Sequence, residues 1–560
     1  MLESRLKLLV PAGPVLAASL VRLNKRCGQP ACRCHHGGPL HPAYHLTYRQ
    51  AGRTRTAYVP PGPPRGGPLM DPRTPPPQGP DPGGQPVDPG LDQGPCAASP
   101  TPAGTTLTIG PILAQTIGHF FPELNTWIDQ IHDPRFLPLV IYHKRFLLWW
   151  GLSLFLCKLS SRRQLDYQLN TDGPEVLNNL NRLAGTAQTS RPVNRTLDYF
   201  LGKLGAAPIA GLRTQLVRRL IRTKALDAAR LQGRFLVLID GSGYLVFNSR
   251  HCDHCLTQRH GETTLYMHQV LEAKLLGPAG MVVSIATEFI DNRDTASAPA
   301  GAGQERIKQD CELKALRRLM EALRAEFPQL RICLGGDGLY ACGEGFRVAK
   351  DYNCDYIYTF QPGRLPALWQ DFQGLLRLCP ERRVEWTTPQ GVRQVYRWVN
   401  DLPYTDTAGR AWSFHAIACR EIKPDGTGSE WAWVTSLEVS HETVVEVATN
   451  GGRQRWRAEN EGFNTQKNSG LNLEHAYSHT GWAAYYFLLQ IAHLLLQLME
   501  KGSLLRRLAQ EQGKRTAAEL YGSLKNMAQR LLDSLRYWHW PDAVFDRTGC
   551  GAIQIRWDTS

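Results

Sequence analysis

The 560-residue sequence has no apolar run longer than twelve residues, and it has few cysteines for its length. A membrane-spanning helix needs about 18 or more consecutive apolar residues, so the longest run, FLLWWGLSLFLC after Arg145, predicts a buried helix and no membrane association. The 14 irregularly spaced cysteines exclude a disulfide scaffold and favour reduced thiols in a cytoplasmic protein. The N-terminus is also a poor signal peptide, because Glu3 lies in the would-be basic region and Pro11 and Pro14 interrupt its apolar part.

Acidic residues are outnumbered, with 50 Asp and Glu against 64 Lys and Arg, which gives a net charge of +14. Such an excess favours a polyanionic partner, because neutralising phosphates releases their counterions. Apolar residues make up 42% of the chain and aromatic residues 9%, which excludes wholesale disorder, collagen and a coiled coil. The length corresponds to roughly three to four domains.

Residues 1–59 form a small basic module that is rich in cysteine and histidine. Cys27, Cys32 and Cys34, with His35 or His36, offer four soft ligands, so we predict a zinc site that compensates for the module's small core. The following sequence, YHLTYRQAGRTRTAYVP, predicts a β-hairpin that turns at residues 51–52. Residues 60–106 are rich in Pro and Gly and predict an extended linker.

Residues 107–230 have a helical pattern and form a candidate DNA-binding domain. Their last amphipathic stretch carries a series of basic residues, Arg213, Arg218, Arg219, Arg222 and Lys224. A solvated basic face explains this series about as well as a DNA-facing one. Our candidate DNA contacts on this stretch are Arg218, Arg219 and Arg222.

Residues 231–380 change to the pattern of a mixed α/β core. RFLVLID predicts a buried strand that ends at Asp240, and three further strand candidates follow it. Residues 304–327 predict an amphipathic helix with Ile307 and Cys311 on its apolar stripe, and RICLGGD predicts a short strand that ends at Asp337. Residues 381–450 alternate as strands and predict a β-rich insertion, and residues 451–560 return to helices.

Two acids, Asp240 and Asp337, follow predicted buried strands, and either Glu459 or Glu461 lies on a later helix. Strand ends in α/β sheets are where functional side chains meet. Three carboxylates that converge repel one another unless a cation neutralises them, and oxygen-only ligation favours Mg²⁺ or Mn²⁺. Asp-Gly is also a common turn dipeptide, which is the alternative explanation for each aspartate alone.

The segments FLVLIDGSGY, ICLGGDGLYA and RWRAENEGFNTQKN, followed by GLNLEHAYSH, resemble bacterial insertion-sequence transposases of the DDE class. The resemblance covers roughly residues 234–480. It implies a ribonuclease-H-like catalytic fold with a β-rich insertion between the second Asp and the Glu. It also implies that Asp240, Asp337 and Glu459 form the catalytic, metal-binding triad.

The glutamate helix of these transposases often carries a Tyr–Arg–Glu–Lys signature, which this sequence matches only in part. Arg455 and Glu459 have the expected spacing, but Gly452 stands at the Tyr position and Lys467 is one residue late. The resemblance assigns Arg455 and Lys467 to DNA phosphates near the cut, and a solvated basic face is their alternative. Glu461 stays a rival third acid, because about 200° of helical rotation separates it from Glu459.

The expected function is therefore cleavage of the ends of a mobile element and their transfer to target DNA, with nucleoid association when bound. Pairing two element ends requires at least two protomers, so we expect a homodimer in the synaptic complex. A metal-dependent endonuclease or resolvase of the same fold, or a catalytically inactive DNA-binding derivative, are the alternatives. For the HCDHC sequence at 251–255, we expect a structural or incidental role, because no second Cys pair accompanies it.

Overall fold

The structure is a computed structural model of the chain. It describes three strands before residue 60 by their backbone, and residues 109–252, 255–260, 263–292, 310–406, 408–545 and 553–555 in full, except for the side chain at 260. The zinc ligands predicted at Cys27, Cys32, Cys34 and His36, and the linker, lie outside the described residues. The chain divides into two compact units, Met1–Thr101 and Pro102–Ser560.

The first unit contains a three-stranded antiparallel sheet in the order β1-β2-β3. The strands are β1 (Ala18–Lys25), β2 (His41–Gln50) and β3 (Arg53–Val59). Gln50 pairs with Arg53, so the predicted hairpin is present and turns at residues 51–52. The first strand was not predicted, because its apolar residues do not alternate over its whole length.

The second unit begins with seven helices, in agreement with the helical pattern. They are α1 (Ile109–Phe120), α2 (Leu124–Gln130), α3 (Lys144–Leu156), α4 (Arg162–Asn170), α5 (Val176–Ala184), α6 (Asn194–Leu204) and α7 (Ala207–Arg222). Helix α3 is the longest apolar run of the sequence and is buried from Phe146 onward, as predicted. At the start of α4, the side chain of Ser161 accepts a hydrogen bond from the Gln164 amide and caps the helix.

A ten-stranded mixed sheet follows. Its members are β4 (Phe235–Phe247), β5 (Leu256–His260), β6 (Thr263–Leu276), β7 (Val282–Ile290), β8 (Ile332–Gly336), β9 (Asp355–Thr359), β10 (Arg383–Thr387), β11 (Arg393–Thr405), β12 (Ala411–Ile422) and β13 (Gly428–Thr435). The order is β10-β11-β12-β13-β9-β8-β4-β6-β5. Strand β5 pairs with residues 263–267 of β6, and β7 pairs with residues 269–276 of the same strand. The β4–β8 and β8–β9 pairs are parallel and the other pairs are antiparallel.

The strands predicted for residues 381–450 are present as β10–β13, and they extend the core sheet, since β13 hydrogen-bonds to β9. One prediction about this sheet needs correction. Asp240 does not end a strand, because β4 continues through Asp240 and Gly241 to Phe247, with an irregularity between Gly243 and Leu245. Glycines lower the strand propensity of this stretch of β4, so local pattern underestimates the length of the strand.

Three helices connect or cover the parallel strands. They are α8 (Glu312–Glu326), α9 (Gly343–Asp351) and α10 (Pro366–Leu378). The helix predicted over 304–327 begins at Glu312 in the described residues, and Ile307 lies outside them. Cys311 was predicted on the buried stripe, but it precedes the helix and is exposed, because the stripe begins with Ala315 and Leu316.

Residues 444–468, named here the glutamate segment, are helical but irregular. Short α-helical turns, a 3₁₀ turn at Gly452–Arg455 and π-helical turns at Val447–Gly451 and Ala458–Asn464 alternate along this segment. Four helices follow it, α11 (Trp482–Lys501), α12 (Ser503–Glu511), α13 (Ala517–Tyr521) and α14 (Leu524–Tyr537). The second tail helix predicted from sequence is thus divided, and Gly522 at the break has a φ of 76° that suits glycine.

One helix among the described residues, α11, is long and apolar enough to cross a membrane. It is almost completely buried by the surrounding protein, from Ala484 to Met499. This burial is typical of a core helix, because a helix that crosses a membrane would have positions that face lipid and are not covered by protein.

Candidate active site

Asp240 lies in the middle of β4, where the strand is flanked by helical segments on both faces. Leu238 belongs to the apolar cluster that contains Ala458 of the glutamate segment, whereas Ile239 belongs to the cluster that contains Leu316 of α8. Because side chains alternate along a strand, Asp240 points to the same face as Leu238. Asp240 therefore lies on the side of the sheet that the glutamate segment covers.

The neighbouring residue, Gly241, permits a close approach by Glu312 at the start of α8. A Cβ atom at position 241 would lie 2.3 Å from the carboxyl carbon of Glu312. A side chain here would have to displace the flexible end of Glu312, so the glycine leaves room for that carboxylate. Gly241 thus brings a second acid to the strand that carries Asp240.

Asp337 directly follows β8, the parallel neighbour of β4. Its carboxylate accepts a hydrogen bond from the Leu339 amide at 2.8 Å, which fixes the turn after the strand. Three residues further on, the buried Tyr340 hydroxyl donates to Glu312 Oε2 at 2.9 Å. The turn after β8 therefore supplies one acid and orients another.

The three carboxylates interact electrostatically. The pKa of Asp240 is raised to about 7, chiefly by burial and then by the nearby negative charges of Glu312 and Asp337, whereas Arg455 and Lys274 oppose the rise. Burial also raises the pKa of Glu312, which the hydrogen bond from Tyr340 partly offsets. The pKa of Tyr340 is far above its ordinary value because of burial and the adjacent acids, so Tyr340 remains a hydrogen-bond donor.

These three acids have the donor chemistry of a hard divalent cation site but not its compact geometry, because among the described residues their oxygen atoms do not form a group within 4.8 Å of one another. Asp240, Asp337 and Glu312 offer only oxygen atoms, which Mg²⁺ and Mn²⁺ prefer. The raised pKa of Asp240 results first from burial and second from the charges of the neighbouring acids, both of which disfavour its ionised form. A bound cation would lower that pKa and stabilise the ionised form.

Arg455 and Asp337 line the same cavity of about 590 Å³. Two of the tryptophans of the β-rich strands, Trp431 and Trp433, also line it. Trp433 is buried, and the Arg453 guanidinium lies 4.2 Å from the centre of the Trp431 ring. The cavity thus combines an acid, arginines and aromatic faces, which are the groups that contact phosphates and stack on bases.

The two rival glutamates occupy different environments. Glu459 is exposed on the π-helical turn of the glutamate segment that packs against β4 and β7. Glu461 instead lines a small cavity together with Lys158 and Glu500. The structure therefore separates the two side chains, and Glu461 is directed toward the helical part of the unit.

A buried polar network fixes the glutamate segment to the sheet. Lys274 Nζ lies 2.5 Å from Glu272 Oε2, and both side chains are almost fully inaccessible to solvent. Lys274 also contacts the segment, at 3.3 Å from Gln466 Oε1 and 4.0 Å from the centre of the Phe463 ring. A Cβ at Gly462 would come within 2.8 Å of Lys274, so the lysine packs directly against the segment.

The other acceptor atoms of Glu272 are occupied by side chains from the sheet and α11. Ser284, Tyr486 and Gln490 donate to its carboxylate. Burial opposes ionisation of Glu272, but Lys274 and these donors hold its pKa below the ordinary value. The network therefore stabilises an ion pair that the apolar surroundings alone would exclude.

The predicted DNA contacts have diverse positions. Arg218 is exposed and donates to the carbonyl of Glu326, while Arg219 lies 3.6 Å from Glu123. Arg222 is exposed and lines a cavity of about 680 Å³ that Arg218, Arg230 and Arg331 also line. Arg213, part of the same basic series, is buried and donates to Gln490, so it cannot face DNA.

Lys467, the fifth predicted DNA contact, lies 2.9 Å from Glu474 in an ion pair. Its side chain is mostly covered, so a phosphate would have to compete with the carboxylate for it. Arg455 has the better position of the two residues that the resemblance assigned to DNA, because it lines the cavity beside Asp337.

Sequence reasoning missed Glu312 and Tyr340. Glu312 was included in a predicted helix, and acids are common in the first turn of helices because they interact favourably with the helix dipole. The available signal was Gly241 beside Asp240, since a strand glycine often marks a close approach by another group. Identifying that group requires the tertiary structure.

Comparison with protein families gives one match, a domain of unknown function (DUF6788) over residues 1–65. The match coincides with the basic N-terminal module and leaves the residues described above outside it. No curated protein matches the chain.

Proposed function

We propose that the chain is a DDE transposase that cuts the ends of its own mobile element and joins them to target DNA. The observation that carries the proposal is the pKa of the buried Asp240, which burial and then the charges of Glu312 and Asp337, from separate parts of the chain, raise to about 7. Perturbed acids that converge from distant positions are typical of catalytic sites.

The sheet supports a ribonuclease-H-like catalytic core. Strands β7, β6 and β4 are antiparallel neighbours, and the parallel strands β8 and β9 continue the sheet from β4. Helices α8 and α9 precede and follow β8 in sequence. Asp240 then lies on β4 and Asp337 lies directly after its parallel neighbour β8, which are the positions that the resemblance to DDE transposases implies.

In this proposal Asp240 and Asp337 hold the divalent cations, and Glu459 completes the triad when DNA is bound. Mg²⁺ or Mn²⁺ held by these carboxylates would supply activation of the attacking oxygen and charge stabilisation of the leaving oxygen of a phosphodiester. Tyr340 holds Glu312 near Gly241, on the face of β4 opposite to the one that Asp240 faces, and from there the charge of Glu312 acts on Asp240. Arg455 faces the same cavity and neutralises phosphate charge near the cut.

DNA binding is supported by the arginine-lined cavity beside α7. Arg218 and Arg222 project from α7, and Arg230 and Arg331 come from the adjoining chain segments. Four guanidinium groups around one groove match the spaced charges of a phosphate backbone. A homodimer that pairs two element ends follows from the reaction itself.

The test is a strand-transfer assay with labelled element ends, a target plasmid and Mg²⁺. The expected result is nicked and joined products from the unaltered protein and loss of both, by at least a hundredfold, in D240N, D337N and E459Q. The matched controls are E461Q, which changes the rival glutamate, and D371N, which changes an exposed aspartate on α10. Both controls are expected to retain activity.

Other outcomes select an alternative. Cleavage without joined products identifies an endonuclease or resolvase. Unchanged cellular activity of D240N identifies a binding protein that does not use the acids. Loss in E461Q with full activity in E459Q assigns the third acid to Glu461.

A further inference from the structure

One group of side chains that can bind a metal is distinct from Asp240, Glu312 and Asp337. It consists of Cys252 and Cys255, which belong to the HCDHC sequence between β4 and β5, and His268 of β6. Cys255 is buried and the other two are half-buried. The pairing of β4 with β6 is irregular between Gly243 and Leu245. Beyond this irregularity, Leu245 is the partner of His268.

The three ligand atoms form a small triangle. The two Sγ atoms are 3.7 Å apart, and His268 Nε2 lies 3.4 Å from Cys252 Sγ and 3.6 Å from Cys255 Sγ. Tetrahedral zinc has Zn–S bonds of about 2.3 Å and Zn–N bonds of about 2.0–2.1 Å, so its ligand edges are about 3.8 Å for S–S and about 3.6 Å for S–N. All three distances match these edges to within about 0.2 Å.

Other arrangements of two thiols and an imidazole fit less well. A disulfide would bring the sulfur atoms to about 2.05 Å, far below the observed separation. An apolar packing contact gives no reason for three soft ligand atoms to point at a common centre. The Cys-x₂-Cys spacing also lets one turn of backbone present both thiolates to the same ion.

We propose that Cys252, Cys255 and His268 hold a zinc ion, and that this ion fastens the β4–β5 connection to strand β6. Three protein ligands leave the fourth position for water or one further side chain. The assignment differs from the N-terminal cluster predicted from sequence, and it does not depend on the proposed function.

Hydrogen bonds connect the site to Asp310, which precedes helix α8. Asn292 donates to the carbonyl of Cys255 at 3.0 Å, and its own side-chain oxygen accepts from the Asp310 amide at 3.2 Å. Asp310 lies two residues before Glu312, and Arg318 of α8 donates to its carboxylate at 2.7 Å. The zinc ion would therefore also help to position the start of α8.

The first test uses the unaltered, untagged full chain. Thiol alkylation is followed at each cysteine by mass spectrometry, with and without a zinc-selective chelator in excess Mg²⁺. Cys252 is expected to react at least tenfold faster after chelation, because a metal-bound thiolate is protected. The exposed Cys311 is the internal control and is expected to react equally fast in both conditions.

The second test measures zinc content. In a full chain that carries C27S, C32S and C34S, so that the N-terminal cluster contributes no thiolate, we expect one zinc per chain. Adding C252S and C255S is expected to remove it, and adding H268A to weaken its retention. The matched control adds C311S and C379S instead and is expected to retain the zinc.

Three results overturn the proposal. The first is an equal alkylation rate of Cys252 with and without chelator, which needs no variant and is therefore independent of misfolding. The second is a zinc content that C252S and C255S leave unchanged. The third is recovery of a Cys252–Cys255 disulfide from protein purified under reducing conditions.

Discussion

The raised pKa of Asp240 predicts that D240N stabilises the metal-free protein in a pH-dependent way. A rise from 3.8 to about 7 corresponds to about 4 kcal/mol, because one pKa unit is about 1.4 kcal/mol. Between these two pH values the folded chain binds more protons at this site than the unfolded chain. Stability is therefore lost as the pH rises from about 4 to about 7.

The substitution removes this cost, so the difference between the variants should depend on pH. Near pH 4 the carboxyl is largely protonated in the folded protein, and D240N and the unaltered chain should melt at similar temperatures. Above pH 7 the variant should be more stable by up to about 4 kcal/mol, less any hydrogen bond that its amide cannot form. Addition of Mg²⁺ at pH 8 should raise the melting temperature of the unaltered chain and have little effect on D240N.

The assay is thermal unfolding in chelator-treated buffer from pH 4 to pH 8, followed by a Mg²⁺ titration at pH 8. D371N, which removes an exposed carboxylate on α10, is the control. A pH-independent difference for D240N would refute the argument that burial and neighbouring acids penalise its charge. Equal Mg²⁺ stabilisation of both proteins would refute a metal site at Asp240.

Three further perturbations test other parts of the structure. Y340F removes the donor to buried Glu312, and we expect a loss of about 1–3 kcal/mol in stability, measured by thermal unfolding, and weaker Mg²⁺ binding by calorimetry. K274M leaves Glu272 as an uncompensated buried charge, and we expect a loss of about 3–5 kcal/mol, seen as a lower melting temperature or insolubility. R222A removes one candidate phosphate contact, and the slope of log K against log salt for duplex DNA should fall by about 0.9.

Each of these has a matched control. Y352F removes a hydroxyl that contacts Glu321 at the surface and should change stability by less than about 0.5 kcal/mol. Combining K274M with E272Q should recover most of the loss, since no buried charge then remains unpaired. K525A removes an exposed lysine outside the α7 cavity and should leave the salt slope unchanged, so an equal effect of R222A and K525A would contradict a specific groove.

The sequence was sufficient for features with a strong local pattern. The buried helix at Lys144–Leu156, the hairpin after residue 40 and the strand before Asp337 follow from apolar run length, alternation and turn residues. The placement of Asp337 was right for the same reason, because a short buried strand and an Asp-Gly turn are encoded by adjacent residues.

Features that depend on contacts between distant residues could not be predicted from the local sequence pattern. Asp240 was placed at a strand end because Gly241 and Gly243 resemble a turn, whereas pairing with β6 keeps the strand extended. The His268 ligand is separated from its cysteines by a strand reversal, so the HCDHC sequence alone offered only a single Cys pair. Glu312 was not recognised as a site residue, because acids are common in the first turn of a helix, where they interact favourably with the helix dipole.

The hydrogen bonds between β13 and β9 have a mechanical consequence. They make the strands that carry Trp431 and Trp433 continuous with those that precede Asp337, so no hinge can open between them without breaking the ladder. One wall of the cavity beside Asp337 is therefore stiff, and any narrowing around a bound duplex must come from the helical side or from distortion of the duplex itself.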